Sequence, residues 1–163
     1  MHTRAVIMGV SSCGKSTVGA LLAERTGLPF RDGDDMHPAA NVTKMAAGHA
    51  LTDADRKPWL ESIGEYLAHA EDGAVVGCSA LKRSYRDIIR AAAPDTVFIH
   101  LAGSYDLLKA RMSRREGHFM PVSLLDSQFD TLEQLEDDEA GITLDVVASP
   151  AQLAEEASEF LRG

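Results

Sequence analysis

The sequence that decides the fold of this chain is residues 9–16, Gly9-Val10-Ser11-Ser12-Cys13-Gly14-Lys15-Ser16. It matches G-x-x-x-x-G-K-S, the pattern of a phosphate-binding loop, or P-loop. The apolar run Ala5–Met8 precedes the loop, and a helical pattern from Ser16 to Arg25 follows it. Because the pattern requires this order of strand, loop and helix, the sequence predicts a site for a nucleoside triphosphate.

Each residue type in the loop has a physical role at an anion. Gly9 and Gly14 let the backbone turn tightly, so that successive N–H groups and the start of the helix point at phosphates. Lys15 adds a mobile positive charge, and Ser16 offers a hydroxyl to Mg²⁺. The residues expected to contact the nucleotide are Gly9, Ser11, Ser12, Cys13, Gly14, Lys15, Ser16 and Thr17. The alternative is a glycine-rich turn that binds no ligand.

Composition narrows the class of protein. The 163 residues, 45% of them apolar and 25% charged, fit a single domain over 1–163. A net charge of −9 disfavours nucleic acid and anionic membranes as partners. Cys13 and Cys78 form no disulfide framework, and no stretch resembles a signal peptide or a membrane span. We therefore expect a cytoplasmic protein.

Short apolar runs alternate with longer amphipathic ones along the chain. The predicted strands are Arg4–Gly9, Pro29–Arg31, Ala74–Cys78, Thr96–Leu101 and Thr143–Val147. The predicted helices are Lys15–Thr26, Asn41–Ala47, Asp53–His69 (capped by Thr52), Arg83–Ala92, Ser104–Arg114, Val122–Leu132 and Pro150–Leu161. This alternation predicts an α/β fold, a parallel five-stranded sheet with helices on both faces.

Ligands of such a sheet bind at the carboxyl ends of its strands. Asp32 and Asp34 follow the second strand, where one carboxylate could hold Mg²⁺ through water and the other could accept a proton from a substrate hydroxyl. The alternative is an Asp-Gly-Asp loop that only caps the next helix. Ser79 follows the third strand and is expected near the same crevice.

Four cations are candidates for contact with an acidic substrate: Lys44, Arg56, Lys82 and Arg86. Lys82 and Arg86 are four residues apart and are expected to share one helix face. For each cation the alternative is a solvated surface charge. We interpret Trp59 as a core or hinge residue, and the acidic run Glu133–Glu139 as a solvated face.

The segment Arg111–Met120 has the composition of a lid. It carries three arginines, the candidate hinge Gly117 and the pair His118-Phe119. Lids of kinases bring arginine to the transferred phosphoryl group and exclude water. A basic helix end that complements the helix dipole is the alternative, although it does not account for His118-Phe119.

Taken together, several segments resemble the gluconokinase family, the ATP-dependent kinases of gluconate. They are MGVSSCGKST, DGDDMHP, NVTKM, LTDADRKPWL, VVGCSALKRSYRD, RREGHFMP and SQFDTLE, in family order from Met8 to Glu133. The resemblance implies a P-loop fold of the nucleoside-monophosphate-kinase type, related to shikimate kinase. It also implies a substrate-binding helical segment at about 35–72 and a lid at about 112–122.

The resemblance further implies roles for matching residues. Lys15, Asp34 and Arg115 would be catalytic, with Arg115 at the γ-phosphate and Asp34 at the 6-hydroxyl of gluconate. Arg111 would lie against adenine, and Ser16 and Asp32 would hold Mg²⁺. The residues expected to contact gluconate are Asp34, His37, Lys44, Arg56, Ser79, Lys82, Arg86 and His118. ATP and Mg²⁺ are the implied cofactors, and a homodimer is the implied assembly.

Two other functions remain open at this stage. Another small-molecule kinase on the same scaffold, such as a shikimate kinase, would share the sheet and the P-loop. A nucleotide-binding sensor without catalysis would keep the P-loop and lack the catalytic groups. The sequence assigns no role to Asp35 and does not show whether Cys13 responds to oxidants.

Overall fold

A parallel five-stranded sheet forms the centre of the protein. The structure is a computed structural model that describes residues 3–10, 12–113 and 122–163. The strands are β1 (Thr3–Met8), β2 (Phe30–Asp32), β3 (Gly73–Gly77), β4 (Val97–Ala102) and β5 (Gly141–Asp145). Their order across the sheet is β2-β3-β1-β4-β5, and every pair is parallel. The predicted fold class is therefore confirmed.

Helices cover both faces of this sheet. Those in the described residues are α1 (Lys15–Thr26), α2 (Ala39–Ala46), α3 (Asp53–His69), α4 (Arg83–Ala92), α5 (Tyr105–Ser113), α6 (Val122–Thr131) and α7 (Pro150–Arg162). A 3₁₀ turn, Gly33–Met36, follows β2 directly. In the described part of the chain, no helix has the length and apolar character needed to cross a membrane.

The side chains of β1 show how the two faces are filled. Ala5 and Ile7 point into a core that α1 and α7 close, whereas Val6 and Met8 point into a second core that α3 and α4 close. All four side chains are fully buried. The four consecutive apolar residues Ala5–Met8 are what a central parallel strand requires, because neither of its faces meets water.

Most predicted element boundaries agree with the structure. The predictions for α1, α3 and α4 are confirmed residue for residue, and those for the other elements differ by one or two residues at one or both ends. Thr52 caps α3 as predicted: its Oγ1 accepts from the Asp55 N–H at 3.1 Å, and the Asp55 Oδ2 accepts from the Thr52 N–H at 2.9 Å. Such a reciprocal capping box fixes where a helix begins.

The prediction for the last strand was wrong by two residues. The strand is Gly141–Asp145 and not Thr143–Val147. Asp145 ends it, because its Oδ1 accepts from the Val147 N–H at 2.9 Å in an Asx turn. Val147 then lies outside the sheet and is 74% exposed.

His100, on β4, is a titratable residue inside the fold. Its side chain is buried, and its Nδ1 has no hydrogen-bond partner among the described residues. Burial, together with the charges of Arg86 and Lys15, lowers the pKa of His100 from 6.5 to about 4. The ring is therefore neutral in the folded protein at a pH where the unfolded chain already binds a proton.

We expect the folded state to lose stability as the pH falls from 6.5 towards 4, because only the unfolded chain gains the proton. At pH 4.5 the loss due to His100 should be about 2–3 kcal/mol relative to pH 7. Denaturant unfolding at both pH values measures it. His100→Leu should remove this part of the pH dependence, and the exposed control His49→Gln should keep it. Equal pH dependence in wild type and His100→Leu would contradict the prediction.

Candidate active site

The P-loop backbone adopts conformations that favour glycine. Gly9 has φ +148°, and a Cβ there would lie 2.7 Å from the Cys13 Sγ and 2.8 Å from the Leu101 carbonyl oxygen. Gly14 has φ +95°, and Ser12, at φ +68°, adopts a left-handed conformation that non-glycine residues rarely take. Backbone strain of this kind is concentrated at functional sites.

The start of α1 is open to an anion. Gly14 is its N-cap residue, and no side chain among the described residues caps this end. The first N–H groups of the helix and its dipole are therefore available to a phosphate. The Lys15 ammonium bends back over the loop, where it donates to the carbonyl oxygens of Gly9 at 2.9 Å and Val10 at 3.1 Å. The arrangement fits the predicted anion site.

Ser16 and Asp32 come together as predicted for a divalent cation. The Ser16 hydroxyl donates to the Asp32 Oδ2 at 3.3 Å, and the Asp32 Oδ1 accepts from the Asp34 N–H at 3.0 Å. Hydroxyl and carboxylate oxygens are the donors that Mg²⁺ prefers. The described residues contain no group of three His, Cys, Asp or Glu arranged to hold a metal alone. The residues therefore fit an ion that takes its other ligands from phosphate and water.

Asp34 lies in the 3₁₀ turn that directly follows β2. Partial burial raises the pKa of Asp34 above 3.8, and repulsion from Asp32 adds to this, whereas Lys15 and His37 oppose it. The side chain remains exposed to solvent, as a group that meets a substrate must be. A raised pKa makes the carboxylate a better proton acceptor.

Trp59 packs against this turn and holds it by a hydrogen bond. Its Nε1 donates to the Gly33 carbonyl oxygen at 2.7 Å, and its ring stacks on the His37 ring with centroids 4.0 Å apart. The His37 Nδ1 is 3.3 Å from the Asn41 Nδ2, and burial lowers the pKa of His37, which favours the neutral ring. Trp59 is a core residue, as predicted, and it also fixes the orientation of the Asp34 turn.

A second group of polar side chains lies where α3 meets the start of α4. We call Asp53, Arg56, Lys82 and Tyr85 the Tyr85 cluster. The Tyr85 hydroxyl donates to the Asp53 Oδ1 at 2.5 Å and accepts from the Arg56 Nη1 at 3.2 Å. The Lys82 Nζ lies 3.3 Å from the Asp53 Oδ2. Two of the predicted substrate cations, Arg56 and Lys82, are thereby brought together.

Lys44 lies on α2 and pairs with Asp55 at 2.5 Å. The same carboxylate closes the capping box of α3, and these hydrogen bonds lower the pKa of Asp55 to about 2. Lys44 therefore ties α2 to the start of α3. The Lys44 side chain is 35% exposed and therefore remains accessible.

The structure contradicts the prediction that Arg86 contacts substrate. Arg86 is fully buried, and its Nε and Nη2 bind both oxygens of Glu139 at 2.7 and 2.9 Å. The remaining donors reach the carbonyl oxygens of Ala80, Leu81 and Gln134. Arg86 pairs with Glu139, whereas Lys82 pairs with Asp53. Lys82 is the N-cap residue of α4 and not part of the helix. Every N–H of the guanidinium can be satisfied inside the protein, so none is left for a ligand.

The interpretation of Glu133–Glu139 as a solvated face was also wrong for part of this run. Glu139 is buried against Arg86, and Glu133 accepts from the N–H of Arg83 at 3.0 Å. Burial alone would raise the pKa of Glu139, but hydrogen bonds from Arg86, the Glu136 N–H and Arg90 lower it to about 2. The segment is a structural partner of α4.

The remaining predicted site residues lie at different places. The Ser79 carbonyl oxygen accepts from the Gly9 N–H at 3.2 Å, which joins the end of β3 to the P-loop. Arg111, in the last turn of α5, donates to the Val146 carbonyl oxygen at 2.6 Å. Ser11, Arg115, His118 and residues 114–121 of the predicted lid lie outside the described residues.

The sequence pattern indicates no site role for Asp53 or Tyr85. Asp53 is in the first turn of a predicted helix, where acidic residues are common because they complement the helix dipole. Tyr85 is three residues after Lys82 in the chain, and that spacing was the available signal for their proximity. Neither signal indicates that the two residues meet each other across 32 positions.

Comparisons with known proteins match this chain to a family model and to several gluconokinases. A model of the shikimate kinase family matches residues 11–160. A gluconokinase of Gluconobacter oxydans is 49% identical over 93% of this chain and 86% of its own length. The thermosensitive gluconokinase of Escherichia coli is 42% identical over 94% of this chain and 84% of its own.

A solved structure extends the likeness to three dimensions. The crystal structure of a gluconokinase from Sinorhizobium meliloti superposes with a TM-score of 0.90 at 48% identity. The superposition covers 98% of this chain and 91% of the Sinorhizobium meliloti chain. Sequence and fold are thus similar over almost the whole chain.

The revised role of Arg86 can be tested against its predicted one. Arg86→Met should lower the free energy of unfolding by about 3–5 kcal/mol, because it leaves Glu139 with only part of its charge compensation. The control Arg83→Met, one turn earlier, loses only exposed partners and should cost at most about 1 kcal/mol. Denaturant unfolding compares them. Unchanged stability of Arg86→Met together with a raised KM for the acceptor would restore the predicted contact.

Proposed function

We propose that this chain transfers the γ-phosphoryl group of ATP to the 6-hydroxyl of D-gluconate. The premise is that the chain belongs to the gluconokinase family of shikimate kinase-like proteins. The products are 6-phospho-D-gluconate and ADP. The observation that carries the proposal is 49% identity to a gluconokinase over 93% of the chain. The arrangement of the site supports it. The charges of Lys15, in the P-loop, and of His37 act on the pKa of the candidate base Asp34, and the charge of Arg56, in the Tyr85 cluster, acts on the pKa of His37.

The donor half of the reaction needs a cradle for the phosphates. The open N-terminus of α1 and the Lys15 ammonium would hold them. The other residues expected to contact the nucleotide are Gly9, Ser12, Cys13, Gly14, Ser16 and Thr17, and Ser11 is added by the resemblance. Ser16 and Asp32 would hold Mg²⁺. When bound, the ion supplies neutralisation of the charge that develops on the phosphate oxygens.

Asp34 would act on the acceptor. Its carboxylate takes the proton of the 6-hydroxyl as the oxygen forms a bond to the γ-phosphorus and the bond to the β-phosphate oxygen breaks, releasing ADP. The charges that shift its pKa include Lys15 of the phosphate cradle and His37, so the carboxyl lies near both. The raised pKa supports this role.

The acid end of gluconate needs cations. Arg56 and Lys82 are partly exposed and close together, and Lys44 lies on the facing helix α2. Arginine matches the two oxygens of a carboxylate, and lysine adds a point charge. His37 and Ser79 would contact hydroxyl groups of the sugar acid. Arg86 is not part of this set.

Further roles rest on the resemblance. Arg115 would reach the γ-phosphate, His118 would contact gluconate, and Arg111 would lie against adenine. The whole chain, 1–163, would act as one kinase domain, with a substrate-binding segment at about 35–72 and a lid at about 112–122. A cytoplasmic homodimer is the proposed state, and sedimentation of the purified protein tests the dimer.

Asp34→Asn should lower kcat at least about a hundredfold while the affinity for ATP stays unchanged, because the amide cannot take the hydroxyl proton. In the wild type, kcat/KM should fall as the pH drops through a pKa above 3.8, since the base must be unprotonated. ADP release followed against pH measures both. Asp35→Asn in the same turn is the matched control. Near wild-type turnover of Asp34→Asn would remove Asp34 from the mechanism.

ADP release with Mg-ATP and a panel of acceptors tests the substrate. The panel holds gluconate, other aldonic acids, glucose, shikimate and no acceptor, and we expect turnover with gluconate at a kcat/KM at least about tenfold above the others. Turnover with another acceptor would keep the kinase and overturn the substrate. ATP binding without turnover of any acceptor would indicate a sensor.

A further inference from the structure

The Tyr85 cluster already contains a carboxylate at its centre. Asp53 accepts from Tyr85 at 2.5 Å and from Lys82 at 3.3 and 3.5 Å, and it lies 3.8 Å from the Arg56 guanidinium. Its two oxygens are therefore surrounded by a hydroxyl, an ammonium and a guanidinium. These three donor groups are the ones that a bound organic acid would need.

Tyr85 organises the two cations. The guanidinium carbon of Arg56 and the ammonium of Lys82 each lie 5.5 Å from the centre of its ring, within the range of a cation–π contact. Tyr85 itself is only 5% exposed, and the side chain of Asp53, which is 64% exposed, accepts the hydrogen bond of its hydroxyl. Displacement of Asp53 would free this hydroxyl and the two cations at once.

Asp53 is free to leave because α3 does not depend on it. The helix is capped by Thr52 and Asp55, whose reciprocal hydrogen bonds close the capping box. Asp55 is further held by Lys44 at 2.5 Å, whereas the hydrogen bonds and ion pairs found for Asp53 in the described residues all lie within the Tyr85 cluster. A rotation of the Asp53 side chain thus breaks contacts with the cluster alone.

We propose that Asp53 is an internal stand-in for the acid group of the acceptor, which displaces it and binds to Arg56, Lys82 and the Tyr85 hydroxyl. This inference rests on the proposed function, since it names the subsite that holds the carboxylate of the sugar acid. It adds Tyr85 as a ligand of that carboxylate and Asp53 as its competitor.

Charge balance explains what such a competitor does. With Asp53 in place, the cluster carries two positive charges and one negative charge. An anionic acceptor replaces the internal carboxylate with one of its own, so that the cations stay compensated. An uncharged polyol offers no such replacement and leaves Asp53 where it is. Asp53 thus favours acids over neutral sugars, and it weakens the binding of every acid by the cost of its own displacement.

Two substitutions in the cluster should have opposite effects on the acceptor. Asp53→Asn keeps the shape and removes the competing charge, so KM for gluconate should fall about two- to fivefold with kcat and KM for ATP unchanged. Tyr85→Phe removes a donor to the bound acid, so KM for gluconate should rise about tenfold. Glu61→Gln, which removes one negative charge from an exposed position of the same helix, is the control and should change neither constant.

D-Glucitol, the uncharged counterpart of gluconate, separates a local effect from a structural one. As an inhibitor it should bind to wild type and to Asp53→Asn with equal affinity. A general loosening of α3 would instead change the affinity for both gluconate and glucitol. A raised KM for gluconate in Asp53→Asn, or an equal gain for glucitol, would overturn the inference. Thermal unfolding of each variant verifies that it is folded.

The proposed function can fail separately. If the wild type forms no ADP with gluconate, the proposed function is overturned, and calorimetric titration of the same variants with gluconate then decides the inference. Tighter binding by Asp53→Asn than by wild type would support the stand-in. Equal, weaker or undetectable binding would overturn it.

Discussion

The buried contact between Arg86 and Glu139 is the interaction on which the geometry of the crevice depends. The Arg86 guanidinium holds the carbonyl oxygens of Ala80 and Leu81 on one side and that of Gln134 on the other. It thereby fixes the turn after β3 against the segment after α6, and Ala80 keeps a positive φ of +44° there. Glu139 supplies the charge without which this arginine could not be buried.

Both halves of the site start from that turn. At one end the Ser79 carbonyl oxygen binds the Gly9 N–H, so the turn also sets the position of the P-loop. At the other end Lys82 is the N-cap residue of α4, and Tyr85 lies in the first turn of this helix. A shift of the Arg86 contact would therefore move the phosphate cradle and the Tyr85 cluster together. A transfer reaction needs this coupling, because donor and acceptor must be aligned to within a fraction of an ångström.

Local signals in the sequence predicted what short-range physics controls. The helical pattern that follows the P-loop predicted the first helix, the cap residue Thr52 predicted the start of the third, and the continuous apolar runs predicted the central strands. The pairing of Arg86 with Glu139, 53 residues away, left no local trace, because any arginine on an amphipathic helix reads as a solvated cation. The same limit hid the contact between Asp53 and Tyr85, since the choice of partner between segments far apart in sequence depends on the fold.

Exposure separates the cations that could serve a ligand from those that serve the structure. Arg56, Lys82 and Lys44 are each about one-third exposed and pair with carboxylates at the crevice, whereas Arg86 has no exposed surface. In a protein with a net charge of −9, acidic residues outnumber basic ones, and each of these four cations pairs with a carboxylate of the protein. An acidic ligand must therefore compete with carboxylates of the protein itself, and it does so best where the internal partner is exposed and carries no other structural duty. Asp53 meets both conditions, while Asp55 and Glu139 each also hold backbone N–H groups in place.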